Sequence, residues 1–193
     1  MYEFISGTIT EITPAHIVIE NGGVGYFINI SLNTYSGLSG KKDAVVFLHY
    51  VVREDAHQFF GFAGKDERDL FRLLITVSGI GANTARVMLS SLSPSEIQMA
   101  IAGSNVDVLK GVKGIGLKSA QRIIVDLKDK LDKLTESEQI FTSQDNTIRE
   151  ESLSALIMLG FPKNAVEKVL SRLLSEQEIT TVEELVKLSL KKL

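Results

Sequence analysis

Two copies of one nine-residue pattern, displaced by 35 positions, constrain this 193-residue chain more than any other feature. The first reads Val77-Ser78-Gly79-Ile80-Gly81-Ala82-Asn83-Thr84-Ala85 and the second Val112-Lys113-Gly114-Ile115-Gly116-Leu117-Lys118-Ser119-Ala120. The match extends outward, pairing Leu74 with Leu109, Met88 with Ile123 and Leu89 with Ile124. Two copies are too few for a solenoid, which needs at least three stacked units to bury a continuous core. The pattern instead reads as a duplicated module: a short helix, a tight Gly-Ile-Gly turn, and a second helix starting just beyond the second glycine. Ile80 and Ile115 are placed to plug each turn into a core, and Ala85 and Ala120 are small enough for two helices to pack closely.

The turn chemistry points at phosphate. Glycine accepts positive φ and brings bare backbone close to a ligand. The helix that follows has unpartnered N–H groups and the positive end of its dipole at that point, which together suit an anionic oxygen. The candidate nucleic-acid positions are therefore the main chain of Gly79, Ile80, Gly81, Gly114, Ile115 and Gly116. A lone Gly-x-Gly is more often just the end of a helix; duplication with the isoleucine and alanine in register favours the functional reading. Gly111 to Ser119 approaches the phosphate loop of nucleotide hydrolases, but Leu117 stands where a lysine should directly follow the glycine, and no acidic strand end follows to hold magnesium, so ATPase chemistry is not expected. His16, His49 and His57 have no nucleophile around them that would make a triad. With no cysteine in the chain, a disulfide framework, a thiolate metal site and an iron–sulfur cluster are excluded, and neither a cofactor nor a metal is expected.

Charge is distributed unevenly. Residues 1–63 carry three Lys/Arg against six Asp/Glu, residues 64–134 eleven against eight, and residues 135–193 seven against ten. The segment holding the repeat is thus the only basic one, at +3 between two segments of −3. A nucleic-acid grip built here is local and led by amides, not by a blanket of positive charge. With no signal-like N-terminus and no apolar run near eighteen residues, a cytoplasmic protein without a membrane span is expected.

Around the repeat, the periodicity predicts an α+β multidomain chain. Residues 1–63 read as strands over Tyr2 to Thr13, His16 to Glu20, Gly25 to Leu32, Ala44 to Val52 and His57 to Phe62, with turns at Pro14-Ala15 and Asn21-Gly22-Gly23. Five short strands suggest a closed barrel of the OB-fold type. The last hairpin has Glu54 and Asp55 at its tip, either a solvated turn or a negative wedge that repels phosphate. Residues 64–134 read as helices: Asp66 to Thr76, a helix ending near Gly103 and opened by the capping box Ser93-Pro94-Ser95-Glu96, Asn105 to Lys110, and Ser119 to about Leu134. Residues 135–147 are polar and aperiodic and read as a flexible linker. Residues 148–193 hold three amphipathic helices, a minimal bundle, predicted over Ile148 to Leu159, Asn164 to Leu174 and Val182 to Leu193. Leu156, Leu159, Phe161 and Leu190 either face a partner there or fill the small core.

The paired Gly-Ile-Gly hairpins, the Val51-Val52-Arg53-Glu54-Asp55-Ala56 tip running into Phe60-Gly61-Phe62, and Gly22-Gly23-Val24-Gly25-Tyr26 together resemble the RuvA family of bacterial Holliday-junction proteins, over essentially the whole chain. The resemblance implies an OB barrel, a double helix-hairpin-helix domain, a linker, and a mobile three-helix UBA-like domain that contacts the RuvB motor. It implies a homotetramer, or an octamer on DNA, on four-way junction DNA, with RuvC as a further partner, in recombination and DNA repair. Glu54 and Asp55 match the family's acidic pin. Asn83 and Leu117 stand where some relatives have lysine, which leaves Lys118, Arg122 and Arg86 as cationic support. Two readings compete with this one. A helix-hairpin-helix repair scaffold or adaptor would lack junction preference. A glycosylase or lyase would need a catalytic Asp beyond a Gly-Pro step.

Overall fold

The structure, a computed structural model, describes residues 2–140, 144–176, 179 and 181–193, with the side chains of 132–147 and of Glu176 outside that description. The chain divides into two compact units, Met1–Asp132 and Lys133–Leu193.

In the first unit, alternating β-branched and aromatic residues form the five expected strands: β1 (Phe4–Ile12), β2 (His16–Asn21), β3 (Val24–Ile30), β4 (Asp43–Val52) and β5 (His57–Phe62). They close into a barrel in the order β1-β2-β3-β5-β4. The β3–β5 pair is parallel and the others antiparallel. A register shift between Ile9 and Glu11 bends β1 as the barrel turns. Ile5, Ile17, Ile19, Ile28, Ile30, Val46 and Leu48 fill the interior, as the period-2 pattern requires.

Helix α1 (Leu32–Leu38) was not apparent in the sequence, where the third strand was expected to run to Leu32. Ser31 ends that strand by capping the helix: its hydroxyl accepts from the Thr34 N–H at 3.0 Å. Thr34 and Leu38, one turn apart, then point inward and are buried.

Helices α2 (Lys65–Leu74), α3 (Ala82–Ser91), α4 (Pro94–Ala102), α5 (Val106–Lys110) and α6 (Leu117–Ile140) follow. The capping box at Ser93 and Glu96 is formed as expected. The last helix continues past Leu134 to Ile140, through Glu and Gln residues that favour helix. The flexible linker expected over 135–147 is therefore helical at 135–140 and again from Gln144, while residues 141–143 lie outside the described residues.

One core serves both the hairpins and one wall of the barrel. Phe60 and Phe62 of β5 meet Phe71 of α2, with ring centroids 5.3 and 4.9 Å apart, and all three are buried in one cluster with Leu70, Leu74, Leu109 and Ile123. Polar ties flank this seam. Arg68 is buried and pairs with Glu3 and Asp69, while Arg72 donates to the Leu48 carbonyl at 3.2 Å. The Asn33 amide donates to the Leu89 and Leu92 carbonyls at the end of α3. Glu67 is buried and accepts hydrogen bonds from the Ser31 and Thr34 hydroxyls, the latter at 2.7 Å. It joins the first turn of α2 to α1.

In the second unit, α7 (Gln144–Met158), α8 (Lys163–Glu176) and α9 (Val182–Leu190) enclose a core of Leu156, Val166, Leu170, Leu173, Ile179 and Leu185. Among the described residues, no helix of the chain is long and apolar enough to cross a membrane.

Burial raises the Glu67 carboxyl above its ordinary value of 4.5, outweighing the two hydroxyl donors that favour its charged form. A raised folded-state value means that the folded state binds the proton more readily than the unfolded chain. Glu67 therefore stabilises the fold at pH below 4.5, and that contribution is lost as pH rises through the folded value. Glu67→Gln, which cannot titrate, should lose ground to the natural chain in acid and gain on it toward neutrality. Melting temperatures of the two proteins across acid to neutral pH measure this, and a pH-independent difference would contradict it.

Candidate nucleic-acid interface

The two repeats fold into the same hydrogen-bonded turn. In the first, the Val77 N–H donates to the Leu74 carbonyl at 3.1 Å, Ile80 to Val77 at 3.0 Å, and Ala85 to Gly81 at 2.9 Å. In the second, Val112 donates to Leu109 at 3.2 Å, Ile115 to Val112 at 3.0 Å, and Ala120 to Gly116 at 2.9 Å. Every one of these bonds recurs 35 residues on. Ile80 and Ile115 are buried in the core of the unit, as are Ala85 and Ala120.

The four glycines divide into two roles. Gly79 and Gly114, with φ of +90° and +92°, occupy the backbone region that side chains rarely enter, so these first glycines make the turn. Gly81 is extended, with φ −86° and ψ 169°, a conformation open to any residue. At Gly81 and Gly116 nothing lies within 4 Å of where a Cβ would stand. These second glycines leave open the space in front of the helix.

That space is bounded by amides. The first helical bond in each copy starts at the alanine, so the amides of Ala82, Asn83 and Thr84, and of Leu117, Lys118 and Ser119, have no helical carbonyl to bond. No side chain caps α3. The amides of Ile80 and Ile115 are already taken by the turn, and their side chains are buried, so neither has a free donor to offer a phosphate. Their inclusion among the candidate contacts is corrected here: they anchor the turn.

The cations sort in the same way. Lys118 and Arg122, one turn apart on α6, are exposed and enter no ion pair among the described residues. Lys113, which the sequence reading did not single out, is exposed directly before Gly114; its adjacency to the turn glycine was the available signal. Arg86 is held elsewhere: its guanidinium donates to the Ala15 carbonyl at 3.0 Å and to Asn29 Oδ1 at 3.4 Å, tying α3 to the barrel. Asn83 and Leu117 are exposed.

At the β4–β5 hairpin, Glu54 and Asp55 are exposed and have no salt-bridge partner among the described residues. Among the described residues no group of three or more His, Cys, Asp or Glu could hold a metal ion.

The second unit separates the four apolar candidates. Leu156 is fully buried in the three-helix core, and α7 ends in a glycine cap: Phe161 N–H donates to the Leu156 carbonyl at 3.2 Å and Gly160 N–H to the Ile157 carbonyl at 2.9 Å, with Gly160 at φ +97°. That geometry folds Phe161 back against the core. Leu156 as a partner contact is therefore corrected to a core residue. Leu159 and Leu190 are exposed, at 61% and 43%, as is Met158, the neighbour of Leu159 in the chain.

Comparison with known proteins agrees along the whole chain. Residues 1–61 match the RuvA N terminal domain, residues 71–129 the SAM-like helix-hairpin-helix tandem, and residues 147–193 the RuvA C-terminal domain. A protein of Christiangramia forsetii is 48% identical over 193 residues, covering all of both chains. The chain belongs to the RuvA family. Further RuvA relatives from Bacteroides thetaiotaomicron and Flavobacterium psychrophilum are each 46% identical, again over the full length of both chains. All three are named Holliday junction branch migration complex subunit RuvA. The barrel, the tandem hairpins and the C-terminal helices expected from the sequence are thus the RuvA architecture.

The two glycine roles give separable expectations. Gly79→Val and Gly114→Val force a branched side chain into positive φ and should lower stability by roughly 1–2 kcal/mol each. Gly81→Val and Gly116→Val should fold with little change in melting temperature, yet weaken DNA binding because the added methyls fill the approach to the amides. Thermal melts beside filter binding would decide; undiminished binding by a folded Gly81/Gly116 double variant would remove the phosphate site.

Proposed function

We propose that this protein binds four-way (Holliday) junction DNA by structure and not by sequence, holds it open, and directs a RuvB motor to drive branch migration in recombination and repair. The observation that carries the reading is the pair of amide cradles with matching hydrogen bonds in one unit with an exposed acidic hairpin. Amide donors reach phosphate oxygens and carry no base information, which suits a protein that must act at any sequence. Gly79, Gly81, Gly114 and Gly116 form the cradles, Lys118, Arg122 and Lys113 supply nearby charge, and Arg86 serves by holding the first cradle to the barrel. Glu54 and Asp55 act as the acidic pin that repels strands at the crossover.

A homotetramer places one subunit on each arm, a closed symmetry that the four-way junction itself invites; an octamer forms if two such rings face each other across the DNA. The chain performs no ATP hydrolysis of its own: RuvB supplies it in the cytoplasm, and RuvC resolves the same junction. Residues 1–63 form the barrel with its pin, 64–134 the DNA-binding hairpins, 135–147 the linker and 148–193 the RuvB-binding domain. Leu159 and Leu190, both exposed, are the RuvB contacts.

A gel shift with a four-way junction and a linear duplex of the same sequences tests the central reading. Strong preference for the junction is expected. Equal affinity for both would favour a helix-hairpin-helix scaffold or adaptor without junction specificity. For the partner surface, Leu159→Lys with Leu190→Lys should leave junction binding intact and reduce stimulation of RuvB about ten-fold or more, as expected for losing buried contacts at a small interface. A doubly substituted protein that still stimulates RuvB fully would clear those residues of the role.

A further inference from the structure

The stem of the acidic hairpin carries an aromatic arrangement that phosphate binding does not use. The Tyr50 hydroxyl lies 2.6 Å from His57 Nδ1. In the β4–β5 register Tyr50 is opposite Phe59 and Val52 opposite His57, so Tyr50 and His57 are diagonal neighbours on one face of the hairpin. The Tyr50 ring stacks on Phe59 at 4.7 Å and 28°, and Tyr2 meets both rings edge-on at 5.4 and 5.2 Å. Residues from the start of the chain, β4 and β5 thus clasp the hairpin where it leaves the barrel.

The tip beyond the clasp has little holding it. Residues 53–56 connect the strands through one backbone bond, from the Arg53 N–H to the Ala56 carbonyl at 2.8 Å. None of them has positive φ. Two-residue hairpins set the twist of their strands with positive-φ residues in a primed turn, whereas longer connections such as this four-residue one are most often built around an ordinary type I turn. With one backbone bond of its own, the tip takes its direction from the stem.

We propose that Tyr50 and His57 are positioning residues for branch migration: their hydrogen bond, set on the Phe59 and Tyr2 rings, aims the Glu54 and Asp55 carboxylates. The inference rests on the acidic-pin reading given above. Tyr50→Phe keeps the ring and removes only the hydroxyl. In the full-length protein it should speed exchange of the hydrogen-bonded Arg53 amide by about five-fold, the population effect of one lost neutral hydrogen bond. RuvB-driven branch migration should shift in the same direction as when the carboxylates are neutralised, with junction affinity unchanged. His57→Asn, which presents Oδ1 where the imidazole has Nδ1, should behave as the natural chain, whereas His57→Leu should behave as Tyr50→Phe.

The combined Glu54→Gln, Asp55→Asn protein separates the two levels of the argument. If it migrates junctions as the natural chain does, the pin reading fails and this proposal with it. If it alters migration while Tyr50→Phe changes neither exchange nor rate, the pin stands and the positioning role is overturned. Adding Tyr50→Phe to the neutralised tip should produce no further change in rate; an additional loss would assign the hydroxyl to something other than aiming the carboxylates.

Discussion

The packing of Phe71 against Phe60 and Phe62 is the contact on which the rest of the first unit depends. A five-stranded barrel of this size has a small interior, and helices of ten residues or fewer are marginal alone. By sharing one core across the β5–α2 seam, each part completes the burial of the other. Three buried phenylalanines contribute about 2–3 kcal/mol each to that joint. The polar groups around it add direction to the hydrophobic attraction: Arg68 and Arg72 to Glu3 and Leu48, Glu67 to Ser31 and Thr34, and Arg86 to Ala15. Apolar packing would tolerate sliding, whereas these bonds pin α1, α2 and α3 to particular strands.

That joint bears on function because the acidic tip and the glycine turns belong to different elements of the same unit. An amide cradle is worth something only if its donors are held where the phosphate will be. The net charge of −3 for the whole chain makes this more pressing. With little long-range attraction to collect DNA, the proposed cradles depend on correctly placed short-range donors, the kind of bond that a phosphate charge strengthens. A shared rigid core is the physical means of placing them.

Much of this was legible in the sequence. The strand alternation, the Ser93 capping box and the 35-residue repeat each predicted the element that formed, because each is a local rule with a short range. The misses were of another kind. Helix α1 lay hidden after a strand, since Ser31, Thr34 and Leu38 look like loop residues until the barrel and Glu67 are beside them. Arg86 resembled a free cation because its carbonyl partner is 71 positions away. Leu156 could be read as a partner contact or a core residue, because the packing of three helices that buries it takes effect only in three dimensions.

The sequence by itself determined the duplicated hairpin, the barrel, the acidic tip and the family, since periodicity, turn chemistry and repeat are properties of neighbouring residues. Only the tertiary structure decided which glycines bend the chain and which clear the approach, which cations are spent on holding the fold, and how the hairpin stem is clasped. Those depend on φ angles and on partners brought together from distant positions. Identical Gly-Ile-Gly letters conceal two different physical tasks, and folding assigns them.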